Sequence, residues 1–221
     1  MTTANLLPDP KDLDAWTAWA DERLHQFDLS VRVLHQVAVA GQRKKDRTSP
    51  LSAPIMRGID GWDGALVALR EATGWGKDER GGLPRTVHPS GRFFVVVLTG
   101  AHPVGVFGAT PQPKNGLRPM LRDLIDDHPT VVPLFDAANV PVDPNNYQEP
   151  ELWLFLWCHH EGYLYSELCS PLRRDGDRIT AYRDQIPLPP LPYDHDTTDA
   201  MITPDDGPDP SAGPVIDVQP R

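Results

Sequence analysis

Hydrophobic residues near the start of the chain recur in steps of three and four: Leu13, Trp16, Ala20, Leu24, Phe27, Val31, Leu34 and Ala38. That spacing is one stripe of an α-helix and predicts a single long helix from Asp12 to about Ala40. Asp9-Pro10 supplies a cap and a first turn, and Gly41 a stop. Val33, Val37 and Val39 widen the stripe toward its end. The polar, basic stretch Gln42-Arg43-Lys44-Lys45-Asp46-Arg47 then reads as a mobile loop. A short helix is expected from about Asp63 to Thr73, with Leu66, Leu69 and Arg70 at helical spacing and Gly74 beyond its end. Gly81-Gly82-Leu83-Pro84 breaks the chain again.

The pattern then changes. Phe93-Phe94-Val95-Val96-Val97-Leu98 is apolar on both faces, as a central strand must be. A Gly/Pro-rich loop from Gly100 to Gly116 leads into a helix from about Leu117 to Asp127, with Leu121, Leu124 and Ile125 on its apolar side and Pro129 closing it. A hairpin follows, Leu152 to Cys158 returning as Tyr163 to Cys169. Its first arm places Trp153, Phe155 and Trp157 on one face and Leu152, Leu154 and Leu156 on the other. The return arm is mixed, with Tyr163, Tyr165 and Glu167 sharing a face. Arg178 to Leu188 supplies a last strand, which Pro187 confines to an edge. Helices followed by mostly antiparallel strands describe an α+β fold: a sheet packed against a long N-terminal helix and two shorter ones. Three regions are expected: 1–50, the long helix and basic loop; 51–188, the α+β core; and 189–221, a disordered acidic, Pro-rich tail.

Composition sharpens the last of these. The 25 prolines concentrate after Ile186, and large hydrophobic residues thin out from Pro189. Such a segment buries too little apolar surface to offset its ordering entropy. It also holds Asp194, Asp196, Asp199, Asp205, Asp206, Asp209 and Asp217 against Arg221 alone. The whole chain has a formal charge of −10; with those seven acids and one base set aside, the remaining 24 acids and 20 bases leave −4. A body so near neutrality argues against a DNA mimic, and nucleic-acid binding requires a local basic patch. Arg43, Lys44, Lys45 and Arg47 are the residues for one, with Arg173, Arg174 and Arg178 as further candidates. Two cysteines make no disulfide framework, and neither a leader pattern nor a membrane-length apolar run is present, so a cytoplasmic location is expected.

Candidate chemistry is sparse. Arg85, His88 and Arg92, leading into the central strand, group charge and hydroxyls suited to a phosphate or carboxylate, and Lys114 at the strand's other end is a fourth cation. His88 is the candidate for acid/base catalysis, with Glu149, Glu151 and Glu167 as possible carboxylate partners. Cys158, His159, His160 and Glu161 are all metal-ligating types, but four consecutive residues at a hairpin tip point apart, and no metal is expected there. No cofactor fingerprint and no recognised catalytic motif occurs. Trp16 and Trp19 on the first helix are the candidate surface for another protein. Pro187-Leu188-Pro189-Pro190-Leu191-Pro192 favours polyproline II, and an acidic tail is able to lie over a basic surface, its own or a partner's.

Arginine dominates the basic residues, a bias of GC-rich bacterial genomes. Residues 83–92 (Leu-Pro-Arg-Thr-Val-His-Pro-Ser-Gly-Arg), Thr99-Gly100, Tyr165-Ser166-Glu167-Leu168 and Ile186-Pro187-Leu188-Pro189 resemble uncharacterised bacterial proteins carried on mobile elements, over about residues 60 to 190. The resemblance implies a role in element maintenance or genome conflict and assigns no residue a task. Two expectations follow: a non-catalytic module that binds another protein, or an enzyme or receptor for a phosphorylated ligand. The sequence leaves open whether the chain is an enzyme.

Overall fold

The computed structural model describes residues 7–79, 82–127 and 150–194. The N-terminal stripe folds as two helices, α1 (Leu13–Leu24) and α2 (Val31–Arg47), rather than one. Between them lies a 3₁₀ turn, His25–Phe27, followed by Asp28 in the left-handed region (φ 53°). Ser30 then caps α2, its hydroxyl accepting the Val33 N–H at 3.3 Å, and the Asp21 carboxylate accepts the Val31 N–H at 2.6 Å. The apolar spacing runs through this corner because both helices lie on the same face of the sheet.

The basic stretch is helical as well. Arg43, Lys44, Lys45 and Arg47 form the last turns of α2, where positive charge suits the helix dipole. Gly41 does not stop the helix. It is a contact point: a Cβ there would sit 2.7 Å from Trp157 and 2.9 Å from the Ala65 Cβ. The next helix, α3 (Pro54–Thr73), begins nine residues earlier than the sequence pattern suggested, with Pro54 in its first turn. Its glycines Gly61 and Gly64 let α2 and α3 pack closely side by side, backbone against the Lys44 and Lys45 stems. The boundary expected at residue 50 thus falls in the turn of a helical hairpin.

The sheet contains β1 (Gly76–Asp78), β2 (Arg85–Val87), β3 (Phe93–Ala101), β5 (Glu151–His160), β6 (Tyr163–Asp175) and β7 (Arg178–Pro187) in that spatial order. Two short strands, β4 (Gln112–Pro113) and β8 (Leu191–Pro192), add to β3 and β6. Every pairing is antiparallel except β3 with β5, which is parallel with Phe93 opposite Glu151 and Thr99 opposite Trp157. The fold is α+β, with 37% of the described residues in helix and 32% in strand. One face of the sheet packs Phe93, Val95, Val97, Trp153, Phe155 and Trp157 under α1–α3; the other packs Phe94, Val96, Leu152, Leu154 and Leu156 with Leu117, Leu121 and Ile125 around α4 (Pro119–Asp127). The two interior strands are therefore buried on both faces, as their composition predicted.

Residues 189–194, expected to begin the free tail, are packed. Leu188 N–H reaches Ser166 O at 3.0 Å, β8 pairs Leu191 with Leu164, and Tyr193 N–H reaches Gly162 O at 2.9 Å. His35 Nε2 donates to Pro189 O at 2.9 Å. The rest of the expected tail, 195–221, and Glu149 lie outside the described residues. Among the described residues no helix is long and apolar enough to cross a membrane.

Candidate functional site

The four residues proposed as an anion site do not converge. The His88 ring stacks on Phe93 (centroids 4.5 Å apart) with the edge of Trp75 4.8 Å away, on the helix-covered face. Arg85 lies over the ring of Phe94 at 4.9 Å, and Phe94 belongs to the opposite face. Arg92 is exposed, its carbonyl accepting the Glu151 N–H at 2.9 Å. Lys114 is joined to Thr99 O at 2.9 Å. Thr99 lies six residues beyond Phe93 along β3, about 20 Å at the usual rise of about 3.3 Å per residue.

His88 is engaged in a string of bonds. Nε2 donates to the Asp28 carboxylate at 3.0 Å, which leaves Nδ1 to accept from the Ser90 hydroxyl at 2.8 Å. The order matches that of a hydrolytic triad, but the serine sits two residues from the histidine in the same turn, and its oxygen already accepts the Arg92 N–H at 3.2 Å. The Asp28 side chain is 75% exposed. The string ties the β2–β3 turn to the α1–α2 corner. Of the expected carboxylate partners, the two among the described residues do not serve His88: Glu167 stands across from Leu156 on the other face, and Glu151 bonds Ser170 and Arg183.

Trp16 offers no partner surface. It is 4% exposed, with its indole N–H donating to Pro187 O at 2.9 Å. Trp19 is half-buried, edge-on to Phe107 at 5.5 Å. At the β5–β6 tip the side chains diverge as expected: Cys158 is buried, His159 packs toward Tyr193, and His160 stacks on His102 at 4.3 Å. Burial pushes the Cys158 thiol up to about 11, against the pull of Lys45 and Lys114, so it is no thiolate at neutral pH. Among the described residues no group of three or more His, Cys, Asp or Glu is placed to hold a metal ion.

The surface that remains unexplained lies where α2 ends and α3 begins. Ile55, Ile59, Trp62, Leu66 and Leu69 follow one another at steps of four and three and form one side of α3. Leu66 and Leu69 are buried on the sheet, and the Trp62 indole N–H donates to Val97 O at 3.0 Å. Beyond Trp62 the stripe outruns the sheet. Ile59 is 43% exposed, Ile55 69%, and Leu51, in the preceding turn, 96%. Every residue from Leu51 to Ile59 is exposed.

Cations lie along the same hairpin. Arg43, Lys44, Lys45 and Arg47 come from α2, Arg57 from α3, and Lys114 from the loop after β4. Three carboxylates stand among them: Asp63 pairs with Lys44, Asp60 takes the Thr48 hydroxyl at 2.7 Å, and Asp46 faces Arg57 at 3.7 Å. Burial first, then the nearby Lys114 and more weakly Arg57, lower the Lys45 pKa, with Asp46 opposing. Lys114, expected at the far end of the strand from Arg85, lies near Lys45. The stripe is written in the sequence at positions 55, 59, 62, 66 and 69, with Gly58, Gly61 and Gly64 lying between its members.

No protein-family model, no curated protein and no solved structure matches this chain.

Proposed function

We propose that the protein is a non-catalytic interaction module whose α2–α3 hairpin engages a partner protein through a segment that is both apolar and acidic. One observation carries this reading: the core stripe of α3 continues past the sheet as Leu51, Ile55 and Ile59, exposed on a hairpin that also carries Arg43, Lys44, Lys45, Arg47 and Arg57. Burying such side chains against a partner contributes roughly 1–2 kcal/mol each. The surrounding charges set orientation and on-rate more than affinity. Phosphate backbones suit the surface less well, because Lys44 and Arg57 already face Asp63 and Asp46 and the apolar stripe has no use for a sugar-phosphate chain. The dispersal of Arg85, His88, Arg92 and Lys114 removes the support for a phosphorylated-ligand site. The resemblance to mobile-element proteins supports a setting in element maintenance or genome conflict.

A photo-crosslinking residue placed at Ile55 or Ile59, in the native host, tests the proposal. Adducts with a defined partner, reduced by Lys45→Glu, are expected. Yields no higher than those from the same residue at exposed Arg178 would overturn it.

A further inference from the structure

We infer that the chain's own segment 195–221 docks on this hairpin and competes with the partner; the inference rests on reading the hairpin as an interaction surface. The first argument is where the chain leaves the described fold. Tyr193 donates its hydroxyl to Asp46 of α2 at 3.1 Å, and Arg43 and Arg47 lie near enough to act on that hydroxyl. The segment therefore starts at the basic end of the hairpin.

The second argument is complementarity. Residues 195–221 carry Asp196, Asp199, Asp205, Asp206, Asp209 and Asp217 against Arg221 alone. Within them Ala200-Met201-Ile202 is an apolar triplet with Asp196 and Asp199 before it and Asp205 and Asp206 after it. The hairpin carries the reciprocal elements, exposed isoleucines on α3 and cations on the last turns of α2.

Reach is the third. Asp46 lies two residues from Thr48, which is bonded to Asp60 beside Ile59. Met201 follows Asp194 by seven residues, a span of up to about 24 Å when extended. Being tethered, the segment acts at an effective concentration of order mM, so even weak docking fills the surface. A partner must displace it, and weaker competitors are thereby excluded.

Paramagnetic relaxation tests this on the full chain. A spin label at Ser211→Cys is read out at the methyls of Ile55, Ile59 and, as a distant control, the buried Ile179. The two native cysteines are buried and take no label. A free tether also brings the label near by chance, so the comparison is with the same labelled chain carrying Met201→Asp and Ile202→Asp. Docking predicts relaxation at Ile55 and Ile59 several-fold greater with the native tail than with the variant, and no difference at Ile179. It also predicts that the variant raises crosslinking of partner from Ile55. Equal relaxation in the two chains overturns the inference. If crosslinks from Ile55 persist in that event, the hairpin remains an interaction surface and only the tail's role falls; if they are absent too, both readings fall.

Discussion

Glu167 gives the sharpest test of the packing. It lies in β6, fully buried; one carboxylate oxygen accepts the Gly105 N–H at 3.1 Å and the other the Gln185 amide at 2.9 Å. Burial pushes its carboxyl from 4.5 up to about 7, and the two hydrogen bonds only partly offset this. Because the folded pKa exceeds the unfolded one, the folded state holds the proton more tightly. The stability from this group is fully present below pH 4.5 and is lost as pH rises toward 7. At about 1.4 kcal/mol per unit, the loss is about 3 kcal/mol. Glu167→Gln mimics the protonated acid: its NH₂ stands where the carboxyl OH stands, and both ask Gln185 to turn its amide oxygen inward at the same expense to the bond with Ala109 O. The two chains are therefore expected to be about equally stable at pH 4.5, with the variant about 3 kcal/mol more stable at pH 8. Urea unfolding followed by tryptophan fluorescence, repeated across that range, measures the difference, and every other titration cancels between the chains. Parallel stability profiles would refute the reasoning.

Three further outcomes are expected. Gly41→Ala forces a methyl within 2.9 Å of the Ala65 Cβ and the Gly61 carbonyl, and the chain should lose about 1–3 kcal/mol in urea unfolding; a loss under about 0.5 kcal/mol would mean that α2 and α3 yield easily. Trp16→Phe removes the buried bond to Pro187 O and should cost about 1–3 kcal/mol, whereas a surface tryptophan would cost almost nothing. His35, whose pKa burial lowers, resists protonation in the fold, so stability should fall as pH drops below 6.5; the Leu188 and Tyr193 amides, next to the Pro189 carbonyl that His35 binds, should then exchange faster between pH 7 and 5 after correction for intrinsic rates, and unchanged protection would contradict it.

Strands were the most legible part of the sequence. Alternation alone divided Trp153, Phe155 and Trp157 from Leu152, Leu154 and Leu156, and the two sets enter different cores. The parallel pairing of β3 with β5 was not readable, since neither strand encodes its neighbour's direction. Helix boundaries failed for physical reasons. The stripe through Leu24, Phe27 and Val31 continues because one sheet face covers both helices, while the cap at Ser30 was the overlooked signal. Hydrophilic Arg43 to Arg47 looked like a loop because only the helix pairing, through Gly61 and Gly64, holds it helical. The anion site failed on a rule already in the sequence: Arg85 and His88 are an odd number of residues apart, so an extended chain sends them to opposite faces.

The two ends of the sheet differ in a way that bears on function. At the end where β3 starts, Phe27 meets Phe93 at 5.1 Å and Trp153 at 4.5 Å, Trp75 meets Phe93 at 5.6 Å, and the His88 string closes the corner. At the other end the isoleucine stripe stays in water although Trp62, one turn on, is bonded to the sheet. A loose helix end would fold its apolar side chains back onto the body. This one is held out: Lys44 pairs with Asp63, Thr48 with Asp60, and the glycines of α3 lock against α2. Rigidity of that kind adds little to the stability of the monomer, but it lowers the ordering entropy that a partner must overcome. An exposed, apolar surface braced from behind in this way is what the proposed interaction requires.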